Sequence, residues 1–242
     1  MIGGNSSAFL EAFVAIEEHL EHLLRGNRGM AFSQLVDILR QQNSTIRLYA
    51  EDLKAFARLR NVIVHERGGG KILAEPNEWA VTQICKIRDI LLTPPTVSLF
   101  TQKRVTSVIA TDSLAHATQI MHERHYSQLP VFDDNNYVGL LTTRMITYWL
   151  GAQRRATFDL ATVTVSDVLT SAEPGDSALF IPNDTHLTNA LELFDYKTRR
   201  QRYVDALLIT LDGTAQAPLL GIIAVGDIPR IYDALNHHTA QT

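Results

Sequence analysis

Three side chains of complementary chemistry fall within six residues in Leu59-Arg60-Asn61-Val62-Ile63-Val64-His65-Glu66. Arg60 supplies a guanidinium that stays charged at any accessible pH, Asn61 an amide, and His65 an imidazole that titrates near neutrality and can give or take a proton. The stretch reads as the end of a helix running from about Thr45 to Glu66. At about 100° per residue, Asn61 and His65 fall within about 40° of each other, on a polar side shared with Arg47, Lys54 and Arg58, while Arg60 turns towards the apolar boundary. Val62, Ile63 and Val64 put apolar side chains around that helix end, which suits packing against a second bundle. The same residues also suit local work: Asn61 and His65 as capping groups, Arg60 as a partner for Glu66 or Asp52. His19 and His22, at i,i+3 beside Glu17, Glu18 and Glu21, read as a solvated helix face, and no metal site is expected. Two further basic clusters are His122-Glu123-Arg124-His125 and Lys197-Thr198-Arg199-Arg200-Gln201-Arg202. Arg124, Arg199 and Arg200 are the candidates for phosphate contact, with solvated loop edges as the alternative.

The composition bounds what these groups serve. The chain has 242 residues, 45% hydrophobic and 20% charged, enough for one large or two modest globular domains. Its 22 Lys and Arg against 26 Asp and Glu give a net charge of −4, unlike the strongly basic balance of a dedicated duplex-DNA binder, and no DNA is expected. Cys85 is the single cysteine, so an intramolecular disulfide or a multi-thiolate zinc site is excluded and the cytoplasm is the expected compartment. Met1–Ser7 has neither a basic nor an apolar signal region, and no apolar run approaches the roughly 18 residues of a membrane helix. A soluble, unprocessed chain is the expectation.

The elements that must position the chemistry come in two styles. From Ser7 to Thr93 the apolar residues recur at helical spacing: Phe9, Phe13, Ile16, Leu20, Leu23 and Leu24, with Ser6 or Ser7 as cap and Gly26 as stop; then Phe32, Leu35, Val36 and Leu39; then Tyr49, Leu53, Phe56 and Ile63. A fourth run carries Val81, Ile84, Ile87 and Leu91 behind the cap Asn77 and ends at Pro94-Pro95. Four helices in a small bundle are expected. Beyond Pro95 short β-rich runs alternate with helices: Val105–Ile109, a helix from Ser113, Leu129–Phe132 and Tyr137–Leu141. Residues 1–95 carry 11 basic and 11 acidic side chains and residues 96–242 carry 11 and 15, so the net negative charge lies in the second part.

That second part repeats itself. Ser113-Leu114-Ala115-His116-Ala117, followed by Gly139-Leu140-Leu141-Thr142 and a helix, is echoed by Thr185-His186-Leu187-Thr188-Asn189-Ala190, followed by Gly221-Ile222-Ile223-Ala224 and a helix. Each copy reads strand, helix, strand, strand, helix. The second is lengthened by Lys197–Arg202 before its middle strand and by Asp212–Gln216 at its hairpin. The expected fold is α+β and multidomain: a helical bundle over residues 1–95, then two pseudo-symmetric α/β repeats over residues 96–158 and 159–242.

Tyr126-Ser127-Gln128-Leu129-Pro130-Val131-Phe132-Asp133, Val138-Gly139-Leu140-Leu141-Thr142 and Leu220-Gly221-Ile222-Ile223-Ala224-Val225-Gly226-Asp227-Ile228 resemble the two halves of a tandem CBS-domain pair, or Bateman module. The resemblance implies a two-fold pseudo-symmetric module, usually dimerised, that binds adenine nucleotides between its halves and regulates an attached domain. The family's motif is Gly, two apolar residues, Ser or Thr, two variable residues, then Asp. The hydroxyl and the amides of a helix start suit a phosphate, and the carboxylate accepts from both ribose hydroxyls. Here the motif is split. Thr142, reinforced by Thr143, keeps the hydroxyl but Met145 holds the Asp position; Asp227 keeps the carboxylate but Ala224 has lost the hydroxyl. Thr142, Thr143 and Asp227 are the implied nucleotide-binding residues, for AMP, ADP or ATP as a regulatory ligand with no cofactor required, and plain helix capping is their alternative role.

Arg60, Asn61 and His65 in turn resemble the signature of HEPN domains, dimerising helical bundles that include metal-independent ribonucleases as well as inactive interaction modules. The resemblance implies a homodimer in which two histidines and two arginines line one cleft. That set suits RNA transesterification: one imidazole takes the 2′-hydroxyl proton, the other protonates the leaving 5′-oxygen, and guanidinium groups hold the phosphorane charge. The expectation is therefore a nucleotide-sensing module controlling a helical domain with Arg60, Asn61 and His65 as its catalytic candidates. The alternatives are a non-enzymatic module that binds a nucleotide or partner, and a degenerate dimerisation scaffold.

Overall fold

The computed structural model describes residues 4–24, 29–65, 74–134, 136–153, 157, 159–171, 177–199 and 204–238, without the side chains of His65, Ser177 and residues 196–199. They group into two compact units, one of residues 1–95 with 186–189 and 229–242, the other of residues 96–185 and 190–228.

The first unit is helical: α1 (Gly4–Leu23), α2 (Phe32–Leu39), α3 (Ser44–Leu48), α4 (Ala50–His65) and α5 (Glu78–Leu92). The apolar stripes meet in one core built from Phe9, Phe13, Ile16 and Leu20 of α1, Leu35 and Val36 of α2, Leu53, Phe56 and Ile63 of α4, and Ile84 and Ile87 of α5. Asn77 caps α5 as its type and place predict, its side chain accepting from the Ala80 amide at 2.9 Å. Three local expectations need correction. Helix α1 starts at Gly4, so Ser6 is fully buried inside it and Ser7 donates to Glu11 instead of capping. The expected stop at Gly26 lies outside the described residues. The long third helix is broken at Tyr49 (φ −105°, ψ 14°), and the described residues hold five helices in place of four. The break has visible causes: Asn43 caps a separate short α3, and Arg47 reaches back to the carbonyls of Arg40 and Gln41 at 2.8 and 2.9 Å.

The second unit begins with a 3₁₀ turn at Val97–Phe100 and contains β1 (Val108–Ile109), α6 (Leu114–Arg124), β2 (Gln128–Asp133), β3 (Asn136–Thr142), α7 (Thr143–Ala152), α8 (Val165–Leu169), β4 (Ser177–Pro182), α9 (Leu187–Arg199), β5 (Val204–Thr210) and β6 (Leu219–Ala224); a 3₁₀ turn at Val225–Asp227 leads into α10 (Ile228–Asn236). The first turn of α9 and the body of α10 group with the helical unit. The strands form two three-stranded sheets, β1-β2-β3 and β4-β5-β6, each with a parallel first pair and an antiparallel second pair. The repeat extends to detail. Val131 faces Gly139 with a bulge at Val131/Phe132, and Ile209 faces Gly221 with a bulge at Ile209/Thr210. Leu114, Ala117 and Met121 of α6 are buried at the same spacing as Leu187, Ala190 and Phe194 of α9. The expected first strand at Val105–Ile109 shrinks to two residues, because only Val108 and Ile109 find partners on β2. The hairpin extension Asp212–Gln216 lies between β5 and β6 as expected.

The opening segment of each repeat, before its first strand, packs on the other repeat. In the second, Val165 and Val168 of α8 enter the core of the first sheet, and Leu169 lies against Gly139. In the first, Phe100 closes on Gly221, and Thr101 bridges to that glycine. The backbone bonds match: Val165 N to Asp112 O at 2.9 Å, and Val97 N to Thr185 O at 2.8 Å. This reciprocal exchange ties the two repeats into one body. Among the described residues, no helix is long and apolar enough to cross a membrane.

Candidate functional site

In the helical unit, α4 brings Lys54, Arg58, Arg60 and Asn61 to a cavity of about 520 Å³ that Phe13 and Glu17 of α1 also line. The Arg60 guanidinium lies 5.9 Å from the centroid of the Phe13 ring, a cation–π contact at the apolar boundary that the helical wheel assigns it, and donates to Asn61 Oδ1 at 3.5 Å. Lys54 is held by Asp37 at 2.7 Å, and that bond keeps the Asp37 carboxyl below its usual range. Arg47 leaves this face, since it belongs to α3 and bonds the end of α2. His65 ends α4, but its side chain lies outside the described residues. Elsewhere in the unit, burial and the neighbouring His22 lower the pKa of His19, and burial raises that of Cys85, which keeps it a thiol near neutrality. Among the described residues, no three His, Cys, Asp or Glu side chains are grouped to hold a metal.

In the second unit, the nucleotide candidates stand at matching points of the two repeats, just after the third strand. Thr142 is buried as the N-cap of α7, its hydroxyl accepting from the Met145 amide at 3.1 Å. Asp227 is half-buried and its Oδ2 accepts from the Ala224 amide at 3.0 Å. These are the forward and backward bonds of one reciprocal capping box, divided between the repeats just as the sequence motif is divided. Thr164 and Asp167, at the start of α8, carry both bonds in one place. Thr143 is exposed, and its amide donates to Ser127 O at 2.9 Å.

Arg124 is exposed at the end of α6, which closes on a left-handed His125 (φ 55°) with Tyr126 N bonded to Met121 O, a Schellman ending that leaves the cluster in solvent. The Arg199 side chain and all of Arg200 lie outside the described residues.

The structure adds residues that the sequence reading passed over. Arg144, in the first turn of α7, reaches Asp205 near the start of β5 at 3.4 Å, and Gln128 of β2 donates to the Asp205 carbonyl at 3.2 Å. Tyr137 of β3 meets Phe180 of β4 edge to face at 4.9 Å, and burial raises its phenol pKa. The one signal in the sequence was a basic residue directly after Thr142-Thr143.

Residues 87–152 match the sequence model of the CBS domain family, from within α5 to the end of α7. No curated protein matches the chain. Solved structures similar to it include CBSX2 in complex with AMP, at 22% identity over 59% of this chain and 98% of that one with a TM-score of 0.43. Another is a CBS domain pair in complex with 5′-methylthioadenosine and S-adenosyl-L-methionine, at 14% identity over 58% and 98% with a TM-score of 0.43. A third is the hexameric CBS-CP12 protein from bloom-forming cyanobacteria, at 19% identity over 62% and 78% with a TM-score of 0.42.

Proposed function

We propose that this chain, with a CBS domain in residues 87–152 and a second repeat of the same element order behind it, is a non-enzymatic regulatory protein. Its repeat unit binds an adenine nucleotide and its helical unit is the part regulated, in a homodimer. The observation that carries this reading is the match of residues 87–152 to the CBS domain family, and the candidate residues Thr142 and Asp227 stand at matching helix starts of the two repeats. Thr142 and Thr143 serve the phosphate side of one cleft, and Asp227 reads the ribose hydroxyls in the other. Regulation requires that the nucleotide bind two arrangements of the protein with different affinity.

Thermal unfolding with AMP, ADP, ATP and adenosine tests the reading. A ligand that binds only the folded chain stabilises it by about 2.7 kcal/mol at a hundredfold excess over Kd, and Asp227→Ala should reduce the rise. No shift with any of the four, together with no heat of binding by calorimetry, refutes it.

The shared cavity of Arg60 and Asn61 favours a second reading for the helical unit, metal-independent RNA cleavage with His65 as the proton-transfer group. Incubation with RNA beside His65→Ala tests it. Cleavage by the parent protein that leaves 2′,3′-cyclic phosphate ends and vanishes in the variant supports the enzyme; no cleavage with or without nucleotide leaves the regulatory module alone.

A further inference from the structure

We infer that the cavity beside α4 in the helical unit binds a small organic anion, a phosphate or carboxylate carried on an apolar body. The inference rests on neither nucleotide binding by the repeats nor RNA cleavage. The cavity holds about 520 Å³ where α1, α4 and the start of α2 converge. That lies within the roughly 300–1,000 Å³ of small-molecule sites and is more than a lone inorganic ion fills. One wall is apolar. Phe13 and Phe32 meet with ring centroids 4.5 Å apart, and Met30 and Ala57 extend the surface they make. Both rings are buried and belong to the core of the helical unit, so this wall is already formed without a ligand.

The other wall is charged. Lys54, Arg58 and Asn61 recur at i, i+4 and i+7 of α4 and so share one face, with the Arg60 guanidinium beside them at 5.9 Å from the Phe13 ring centroid. Lys54 is answered by Asp37 at 2.7 Å and by Glu51 at 4.0 Å. That leaves Arg58 and Arg60 against one carboxylate in the cavity, the half-buried Glu17. Glu17 offsets one of the two cations, and one positive charge remains for an anion. Arg58 is exposed and, among the described residues, has no hydrogen-bond or ion-pair partner, so its fork of N–H donors is open to a ligand. Such a fork suits the paired oxygens of a carboxylate or phosphate, and the apolar wall opposite suits the body that carries them.

Calorimetric titration of the full chain with phenyl phosphate and with benzoate tests this, beside inorganic phosphate and benzyl alcohol, each of which carries only one half of the ligand. The parent protein should bind at least one of the two organic anions, and the tighter of them identifies the charged group. Arg58→Gln should weaken that binding about tenfold, as the loss of a charge-assisted bond does. Glu17→Gln should tighten it by removing the opposing carboxylate, a gain that damage to the fold does not produce. Asp227→Ala should leave it unchanged, which separates this cavity from the clefts of the repeats. Binding of neither anion overturns the inference, and so does benzyl alcohol or inorganic phosphate binding as tightly as the better anion, since apolar surface or surface charge alone then accounts for it. Loss of binding in Asp227→Ala, or no change in either Arg58→Gln or Glu17→Gln, overturns it as well. None of these results decides the nucleotide reading, which falls only if AMP, ADP, ATP and adenosine all fail to bind.

Discussion

Gly139 and Gly221 occupy the same place in the two repeats, yet replacing each with alanine should have different consequences. A Cβ at Gly221 would stand 2.7 Å from the Phe100 carbonyl oxygen and 3.0 Å from Ile209 Cδ1. Neither obstacle yields easily. The Phe100 carbonyl belongs to a backbone turn pinned by Thr101 N to Ser98 O at 3.1 Å and Gln102 N to Leu220 O at 2.8 Å, and Ile209 is fully buried. A Cβ at Gly139 would meet only the δ-carbons of Leu169, at 3.2 and 3.4 Å, and that half-buried side-chain tip can move by a few tenths of an ångström. Overpacking costs about 1–3 kcal/mol, and replacing glycine by alanine in a strand returns about 0.5–1 kcal/mol. Gly221→Ala should therefore destabilise by about 2 kcal/mol, which for a chain of this size lowers Tm by about 4–8 °C, whereas Gly139→Ala should come out near zero. Trp149 is buried in the core of the first repeat and Trp79 is 64% exposed, so tryptophan fluorescence during thermal unfolding reports mainly on the repeat unit. A Gly221→Ala protein melting within about 1 °C of the parent, or a Gly139→Ala protein as damaged as Gly221→Ala, would refute the packing of Phe100 and its turn on β6.

Two further outcomes follow from local geometry. Ser44, Thr45 and Thr188 form a buried hydroxyl cluster, with Ser44 Oγ donating to Thr188 Oγ1 at 2.9 Å and Thr45 Oγ1 lying 2.8 Å from the same atom. Thr188→Val leaves the Ser44 hydroxyl bonded to Asn189 Oδ1 but strands the buried Thr45 hydroxyl, and should cost about 1–3 kcal/mol by urea unfolding, while replacing all three by apolar residues of like size should cost less than the sum of the single changes. The Asp167 carboxyl is held below its ordinary range by bonds from the Thr164 backbone and side chain. Its stabilising contribution is complete above the unfolded-state value, near pH 4, and is lost as pH falls through the lowered native value. Asp167→Asn should flatten the acid limb of the stability profile below about pH 4 and leave its shape at pH 6–8 unchanged.

What was legible in the sequence is what neighbours in the chain decide. Asn77, Ser113 and Thr142 each bond an amide three residues on, so residue type and offset suffice to place those helix starts. The repeat was legible for the same reason, because Leu114, Ala117 and Met121 return as Leu187, Ala190 and Phe194 at an unchanged helical period. The break at Tyr49 was not. Tyr49, Leu53 and Phe56 keep helical spacing straight through it, and what separates α3 from α4 is Arg47 turning back onto α2 and the burial of Ser44 and Thr45 under Thr188.

The candidate site divides along the same line. The sequence by itself determined that the hydroxyl of one repeat and the carboxylate of the other survive, and that Arg60 and Asn61 sit one residue apart on one helix. Only the tertiary structure decided that Arg144 answers to Asp205, 61 residues away, that Phe100 rests on Gly221, and that Ser44 finds Thr188 across 144 residues. A bond spanning three residues is written into a period of the chain. A bond spanning sixty or more depends on which segments the sheets and helices bring together, and no spacing in the sequence marks the partner.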